Sequence, residues 1–182
     1  MREAAILDRA GPLRGRPIVA VTPLPPGLRF SLRGNAKELT GLEAVFGIVP
    51  GEDVCRSRAT GDHAALWLGP DEWMLISPGE DASNVFDAVE QALSGVPHSL
   101  VDVSHRSAGF MVTGSGAATL LAEGCPLDLD LDACPVGLCT RTVLGKCEII
   151  LWRVSTEAFH IECWRSFAPY VAAFLAQASE NL

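Results

Sequence analysis

A run reading Phe30-Ser-Leu-Arg-Gly34 returns eighty positions later as Phe110-Met-Val-Thr-Gly114. Whatever surrounds one copy should therefore surround the other, so the chain has to be read as a duplicated unit. In the first copy Leu28, Phe30 and Leu32 alternate with Arg29, Ser31 and Arg33, the pattern of a half-buried strand. Gly34 ends it. Asn35 is placed to cap a helix, with Glu38 at the capping-box position and Leu39, Leu42, Val45 and Phe46 at helical spacing. Strands are predicted near Val54–Thr60, His63–Gly69 and Trp73–Ser77. The segment Ala64–Leu68 is apolar on both faces and reads as a central strand. A helix over 81–94 and a strand over Ser99–Val103 follow. In the second copy Ser115 takes the cap position. The strands Leu138–Leu144 and Cys147–Val154 flank Gly145 as the earlier pair flanks Gly61, and Ala158–Cys163 follows. A last helix carries Phe167, Tyr170, Val171, Phe174 and Leu175 as one stripe. The order β-α-β-β-β-α occurs twice. It predicts an α+β fold of two tandem βαβββα units of split βαβ, ferredoxin-like type, over residues 27–104 and 105–182. Residues 1–26, with Pro12, Pro17, Pro23, Pro25 and Pro26, read as an extended arm with an edge strand at Ile18–Val21.

Charge excludes several roles. The 182 residues carry a net charge of −8, which gives no electrostatic footprint for nucleic acid or an anionic membrane. No stretch approaches the ~18 apolar residues of a membrane span. The first residues show no signal-peptide core, so the expected location is cytoplasmic. Hydrophobic residues make up 48% of the chain. In units this small, that suits either a well-filled core or an apolar surface covered by a partner. The six cysteines form no C-x-x-C pair and read as small buried hydrophobes.

Three constellations suggest chemistry. Asp102-Val-Ser-His105 brings acid, hydroxyl and imidazole together. On a continuous strand, however, His105 would point away from Asp102 and Ser104, and no G-x-S-x-G elbow is present. The expected role is a strand end whose Asp and Ser bond nearby amides. Gly114-Ser-Gly116 lies between strand and helix like a dinucleotide loop, but Thr119 replaces the third glycine. Asp128-Leu-Asp-Leu-Asp132 opens like a calcium loop, but Ala133 replaces the glycine and Cys139 the bidentate glutamate. The four histidines show no metal-ligand spacing. The four tryptophans read as core residues, with Trp73 the one that could instead reach an interface.

From Val101 onward the chain resembles the aminomethyltransferase family, whose type member is the glycine-cleavage T-protein. The residues that carry the likeness are Val101-Asp-Val-Ser-His105, Val112-Thr-Gly-Ser-Gly116, Ala118-Thr-Leu-Leu121, Pro126-Leu-Asp128 and Val136-Gly137. Leu66–Ile76, and Cys139–Lys146 with Trp152 after it, are similar to the gamma-subunit family of heterotetrameric sarcosine oxidases, a likeness that spans nearly the whole chain. The resemblance implies the fold of a folate-binding domain. It makes Asp128 the candidate catalytic acid, since T-protein-like enzymes use an acidic residue after the helix. The chain departs from that pattern in two ways. It ends where a third subdomain would follow, and Lys146 stands after Gly145 where paired acids are usual. The resemblance therefore implies an accessory subunit with no catalytic, cofactor or metal site of its own. It would pack on the alpha subunit of a complex that also holds beta and delta. The other subunits would carry FAD, FMN, NAD and tetrahydrofolate, and oxidise sarcosine to glycine with release of formaldehyde or methylenetetrahydrofolate and hydrogen peroxide. The alternatives are a folate-dependent methyl or aminomethyl transferase acting alone and a self-associating remnant of the fold. The arm before Gly27 and the acidic turn Asp128–Asp132 are the expected partner contacts.

Overall fold

The alternating and helical patterns condense into ten strands and four α-helices in a computed structural model that describes residues 18–77, 79 and 82–182. The part of the expected arm before Ile18, and Asp81 at the expected start of a helix, lie outside the described residues. In chain order come β1 (Ala20–Pro23) and β2 (Leu28–Gly34), then a 3-10 turn at Ala36–Gly41 that runs into α1 (Leu42–Phe46). The strands β3 (Ser57–Thr60), β4 (His63–Gly69) and β5 (Glu72–Ser77) follow, then α2 (Ala82–Ala92) and β6 (His98–Asp102). After a 3-10 turn at Ser104–Arg106 come β7 (Ser107–Thr113), α3 (Ala117–Ala122), β8 (Cys139–Leu144), β9 (Cys147–Ser155) and β10 (Ala158–Trp164). A 3-10 turn then leads into α4 (Ala168–Glu180).

The chain divides into two compact units. One is continuous, residues 25–106. The other joins residues 107–182 to residues 18–24. In the continuous unit all ladders are antiparallel in the order β3-β4-β5-β2-β6. Both β5 and β6 run opposite to β2, which lies between them, so β5-α2-β6 is a split βαβ. The apolar residues of the sheet, Leu28, Phe30, Leu32, Trp73, Leu75 and Leu100, meet Leu39, Leu42, Phe46, Val89 and Leu93 of the helical side in one core. The segment Ala64–Leu68, expected to be the central strand, lies in β4 one place from the middle, which belongs to β5.

The second unit repeats this plan as β8-β9-β10-β7-β1. Phe30 pairs with Leu75 and Leu32 with Trp73; Phe110 pairs with Ile161 and Val112 with Phe159. The two copies differ in how the sheet is closed. In the first, β6 follows α2 and lies against β2, with Leu100 opposite Leu32. In the second, the same place beside β7 is filled by β1, with Val21 opposite Val112 and Pro23 opposite Phe110. The expected edge strand of the N-terminal arm is thus the fifth strand of the second unit's sheet. Proline suits this edge, because it has no N–H to give to a ladder.

Local structure departs from the sequence pattern at three places. Val54 is exposed in a turn and not in a strand, because Cys55 takes a left-handed conformation, φ 56°, and β3 starts only at Ser57. The helix after Asn35 is a 3-10 turn kinked at Leu39 into α1. Asn35 does cap it, its Oδ1 accepting from Lys37 N, but the expected capping box does not form: Glu38 Oε1 accepts from the Asn35 side-chain Nδ2 at 2.9 Å, and the Glu38 amide donates to Asn35 O. The stripe of the last helix splits. Val171 and Leu175 are buried with Ala172 and Ala178, while Phe167 and Tyr170 are exposed.

Candidate functional site

The end of β6 uses Asp102 and Ser104 as tethers. Ser104 N donates to Asp102 Oδ1 at 2.8 Å. The Ser104 hydroxyl accepts from Arg29 N at 2.9 Å and lies 3.4 Å from Arg29 O, to which it donates. Val103 N also donates to Arg29 O. The hydroxyl that a triad would need as nucleophile is thus engaged on the β2 backbone. The strand alternation applied to His105 does not hold, because the chain leaves the strand at Asp102 and residues Ser104–Arg106 form a 3-10 turn.

The glycine turn after β7 is filled by the chain itself. Gly114 N donates to Glu157 O, Gly116 N to Ile18 O and Ala117 N to Gly114 O, each at 2.9 Å. The helix N-cap is Gly116 and not Ser115, and no side chain caps it, since these carbonyls already take the N–H groups. Gly114 has φ 113°, and a Cβ there would strike the Ile18 backbone. Replacing it by alanine is expected to cost about 2 kcal/mol, read as a lowered urea midpoint, because both the positive φ and the close approach of the Ile18–Val19 backbone exclude a side chain.

The acidic run Asp128–Asp132 is two consecutive Asx turns. Asp128 Oδ1 accepts from Asp130 N, and Asp130 Oδ1 from Asp132 N, each at 3.0 Å; all three carboxylates are exposed. Leu129 between them is buried, and Cys134 N donates to Asp130 O. What fixes this loop is a residue the sequence reading passed over, Arg153 on β9. The residue is 3% exposed, and its guanidinium donates through Nη1 to Leu129 O at 2.9 Å and Cys134 O at 2.7 Å. Nη2 donates to Thr156 O at 2.7 Å and Nε to Ser155 O at 3.3 Å, and the group stacks on the Phe159 ring at 4.7 Å. Four carbonyl dipoles and a ring face solvate this buried cation. In the first copy the loop preceding β3 is held differently: Trp73, fully buried and not at a surface, donates its indole N–H to Gly51 O at 3.1 Å.

A second feature missed in the sequence lies on the opposite face of β10. His160 and Glu162 are both buried, with Nε2 and Oε1 2.7 Å apart, and the His160 ring lies 5.6 Å from Trp152. The first copy has Met74 and Ile76 at the matching places. The other histidines serve local ends. His63 Nδ1 lies 3.2 Å from Phe46 O, His98 Nδ1 lies 2.8 Å from Val96 O, and His105 is exposed in its turn. Among the described residues no group of three or more His, Cys, Asp or Glu is arranged to hold a metal. A shallow depression lined by Gly47, Ile48, Val49, Arg58 and Ala59 lies in the continuous unit, which does not contain Asp128.

All six cysteines are free thiols, five of them buried and Cys55 half-buried. Burial, with Cys147 and Glu162 nearby, pushes the Cys163 thiol from 9.0 up to about 12, and burial with Glu148 raises Cys147 as well. A thiol pKa raised on folding means that the folded chain holds its proton more tightly. The stability it confers is complete below pH 9 and is lost as pH climbs from 9 toward 12. Urea midpoints should therefore fall between pH 8 and pH 10.5, and less steeply in Cys163→Ala. An equal alkaline decline in both proteins would refute the assignment.

Comparisons with known proteins bear on the chain as follows. A model of the sarcosine oxidase, gamma subunit family matches residues 47–181. The chain is 30% identical over 139 residues to sarcosine oxidase subunit gamma of Corynebacterium sp. (strain P-1), covering 76% of this chain and 64% of that one. It is 31% identical over 122 residues to sarcosine oxidase subunit gamma of Arthrobacter sp., covering 67% and 56%. The chain thus spans less than two thirds of the length of these curated relatives. Among solved structures it is similar to a chain of the heterotetrameric sarcosine oxidase from Corynebacterium sp. U-96, with a TM-score of 0.85 and 25% identity over 99% of this chain and 92% of that one. The glycine cleavage system aminomethyltransferase T from Bartonella henselae shares the fold, with a TM-score of 0.68 and 15% identity over 93% of this chain and 48% of that one.

Proposed function

Since the chain belongs to the sarcosine oxidase gamma subunit family, we propose that it is an accessory subunit of a heterotetrameric sarcosine oxidase and packs on the alpha subunit. The observation that carries this reading is the match in fold over 99% of the chain to a chain of such a heterotetramer. The local chemistry agrees with an architectural role. The Ser104 hydroxyl ties a turn to β2, the Gly114 turn holds β1, and the Asp128 and Asp130 carboxylates fold their own loop. On this proposal FAD, FMN, NAD and tetrahydrofolate reside on other subunits, which convert sarcosine to glycine. The chain's contribution is to hold that assembly together. No helix among the described residues is long and apolar enough to cross a membrane.

Co-expression with the alpha, beta and delta subunits tests the proposal. The chain is expected to copurify in one stoichiometric, sarcosine-oxidising complex, and to lower the yield or the melting temperature of that complex when omitted. A complex that assembles fully and is equally stable and active without it would overturn the reading.

A further inference from the structure

The internal duplication supplies its own control for reading surfaces, because α2 and α4 hold the same place over their respective sheets. Val89 of α2 and Leu175 of α4 are both completely buried. The outward faces differ. On α2 the exposed positions are Ser83, Asn84, Asp87, Glu90 and Gln91, the polar face of an ordinary solvated helix. On α4 and the turn that leads into it, the exposed positions include Trp164, Phe167, Pro169, Tyr170, Ala173 and Gln177, and no charged residue occurs between Arg165 and Glu180. Trp164 is 52% exposed, Phe167 43% and Tyr170 37%. Trp164 closes β10 directly before the 3-10 turn, Phe167 ends that turn, and Tyr170 lies in the first turn of α4. Tyr170 is held rigidly. Its hydroxyl accepts from Lys146 N at 3.0 Å, and its ring lies 6.4 Å from that of Phe174.

We propose that this face, centred on Trp164, Phe167 and Tyr170, is the surface through which the chain docks onto a different protein chain that presents an uncharged apolar patch. The inference rests on the accessory-subunit reading and assigns it a location. Two properties favour a protein occupant of this kind. Trp, Tyr and Arg dominate the binding energy of protein interfaces, and ordered aromatics lose little entropy on docking. Charge excludes a second copy as the preferred occupant. Each chain carries −8, so self-association would bring like fields together around a face whose helix carries no charge between Arg165 and Glu180.

The experiment reconstitutes the chain with alpha, beta and delta, in four forms. These are the wild type, the double variant Trp164→Ser/Phe167→Ser, the variant Ala173→Arg, and the control Asp87→Ala/Gln91→Ala on α2. Ala173→Arg adds a charge to the exposed face without removing a packed atom, so it keeps the test open if the double variant fails to fold. Melting of each isolated chain is expected to stay within a few degrees of wild type. Affinity for the complex is expected to fall at least ~100-fold for the double variant and for Ala173→Arg, and to stay unchanged for the control. Wild-type affinity in the face variants would overturn the location and leave the accessory role standing. Failure of the wild-type chain itself to bind would overturn both. A wild-type dimer that the face variants convert to monomer would show a second copy to be the occupant, and would overturn the proposal as well.

Discussion

Val21→Asp is expected to unfold the unit built on residues 107–182, with a loss of about 5 kcal/mol. Val21 is 2% exposed and lies in β1 opposite Val112, inside the core that contains Phe110, Leu120, Phe159 and Leu175. The substitution forfeits about 2 kcal/mol of apolar burial and places a carboxylate among apolar core side chains, which costs several more. Against a total stability of about 5–15 kcal/mol, that is most of what holds a domain folded. Thr22→Asp is the matched control. Thr22 is the next residue on the same strand and faces solvent, so its change should stay within about 0.5 kcal/mol. Urea unfolding followed by circular dichroism separates the two. If both variants melted alike, β1 would not occupy the sheet position assigned to it.

Arg153→Met is expected to cost about 4 kcal/mol. The side chain is nearly isosteric along its stem, so the loss comes from the guanidinium. Four carbonyls, of Leu129, Cys134, Ser155 and Thr156, lose their donor together, and the loop over 126–137 loses its anchor. Arg153→Lys should recover less than half, because one ammonium cannot reproduce a planar fork that reaches carbonyls on two sides. Hydrogen exchange gives the sharper readout. The amide of Cys134, bonded to Asp130 O, should lose protection in both variants while β9 and β10 keep theirs. A variant as stable and as protected as wild type would show the cation to be dispensable.

The duplication could be read from the sequence because its pairing residues are local and periodic. Phe30 and Leu32 recur as Phe110 and Val112, and all four are fully buried. The closing strand of the second unit could not be read in the same way. Residues Ala20–Pro23 are four in number, end in proline and pair with a strand some ninety positions away, so no window of sequence contains both partners. The same distance hid the occupant of the Gly114 turn, a carbonyl of Ile18. Arg153 lay in a run that reads as an apolar strand, where a single arginine is normally taken to point outward. The hint was positional, since the first copy has an aromatic, Trp67, in the matching place. The stripe of α4 misled through its width. Five apolar positions at i, i+3, i+4, i+7 and i+8 span more of the helix than one sheet can cover, and spacing alone does not say which edge of that arc stays in solvent. Ser104 of the Asp-Ser-His run bonds backbone atoms of Arg29, as expected of a strand end. The strand geometry assumed for His105 was replaced by a 3-10 turn.

The exchange of closing strands has a consequence for the order of events on the ribosome. β1 is synthesised early, but its ladder partner β7 begins more than eighty residues later, and β10 and α4 come after that. Between these moments the continuous unit of residues 25–106 emerges with every strand of its own sheet and can fold as the chain lengthens. β1 must meanwhile wait as an unpaired segment, tethered through Leu24–Gly27 to a unit that is already formed. Its docking then becomes the step that commits the second unit. Pulse-labelled nascent chains arrested near residue 140, so that residues 25–106 have left the exit tunnel, should show the first unit resistant to protease and Val19–Pro23 still open to cleavage.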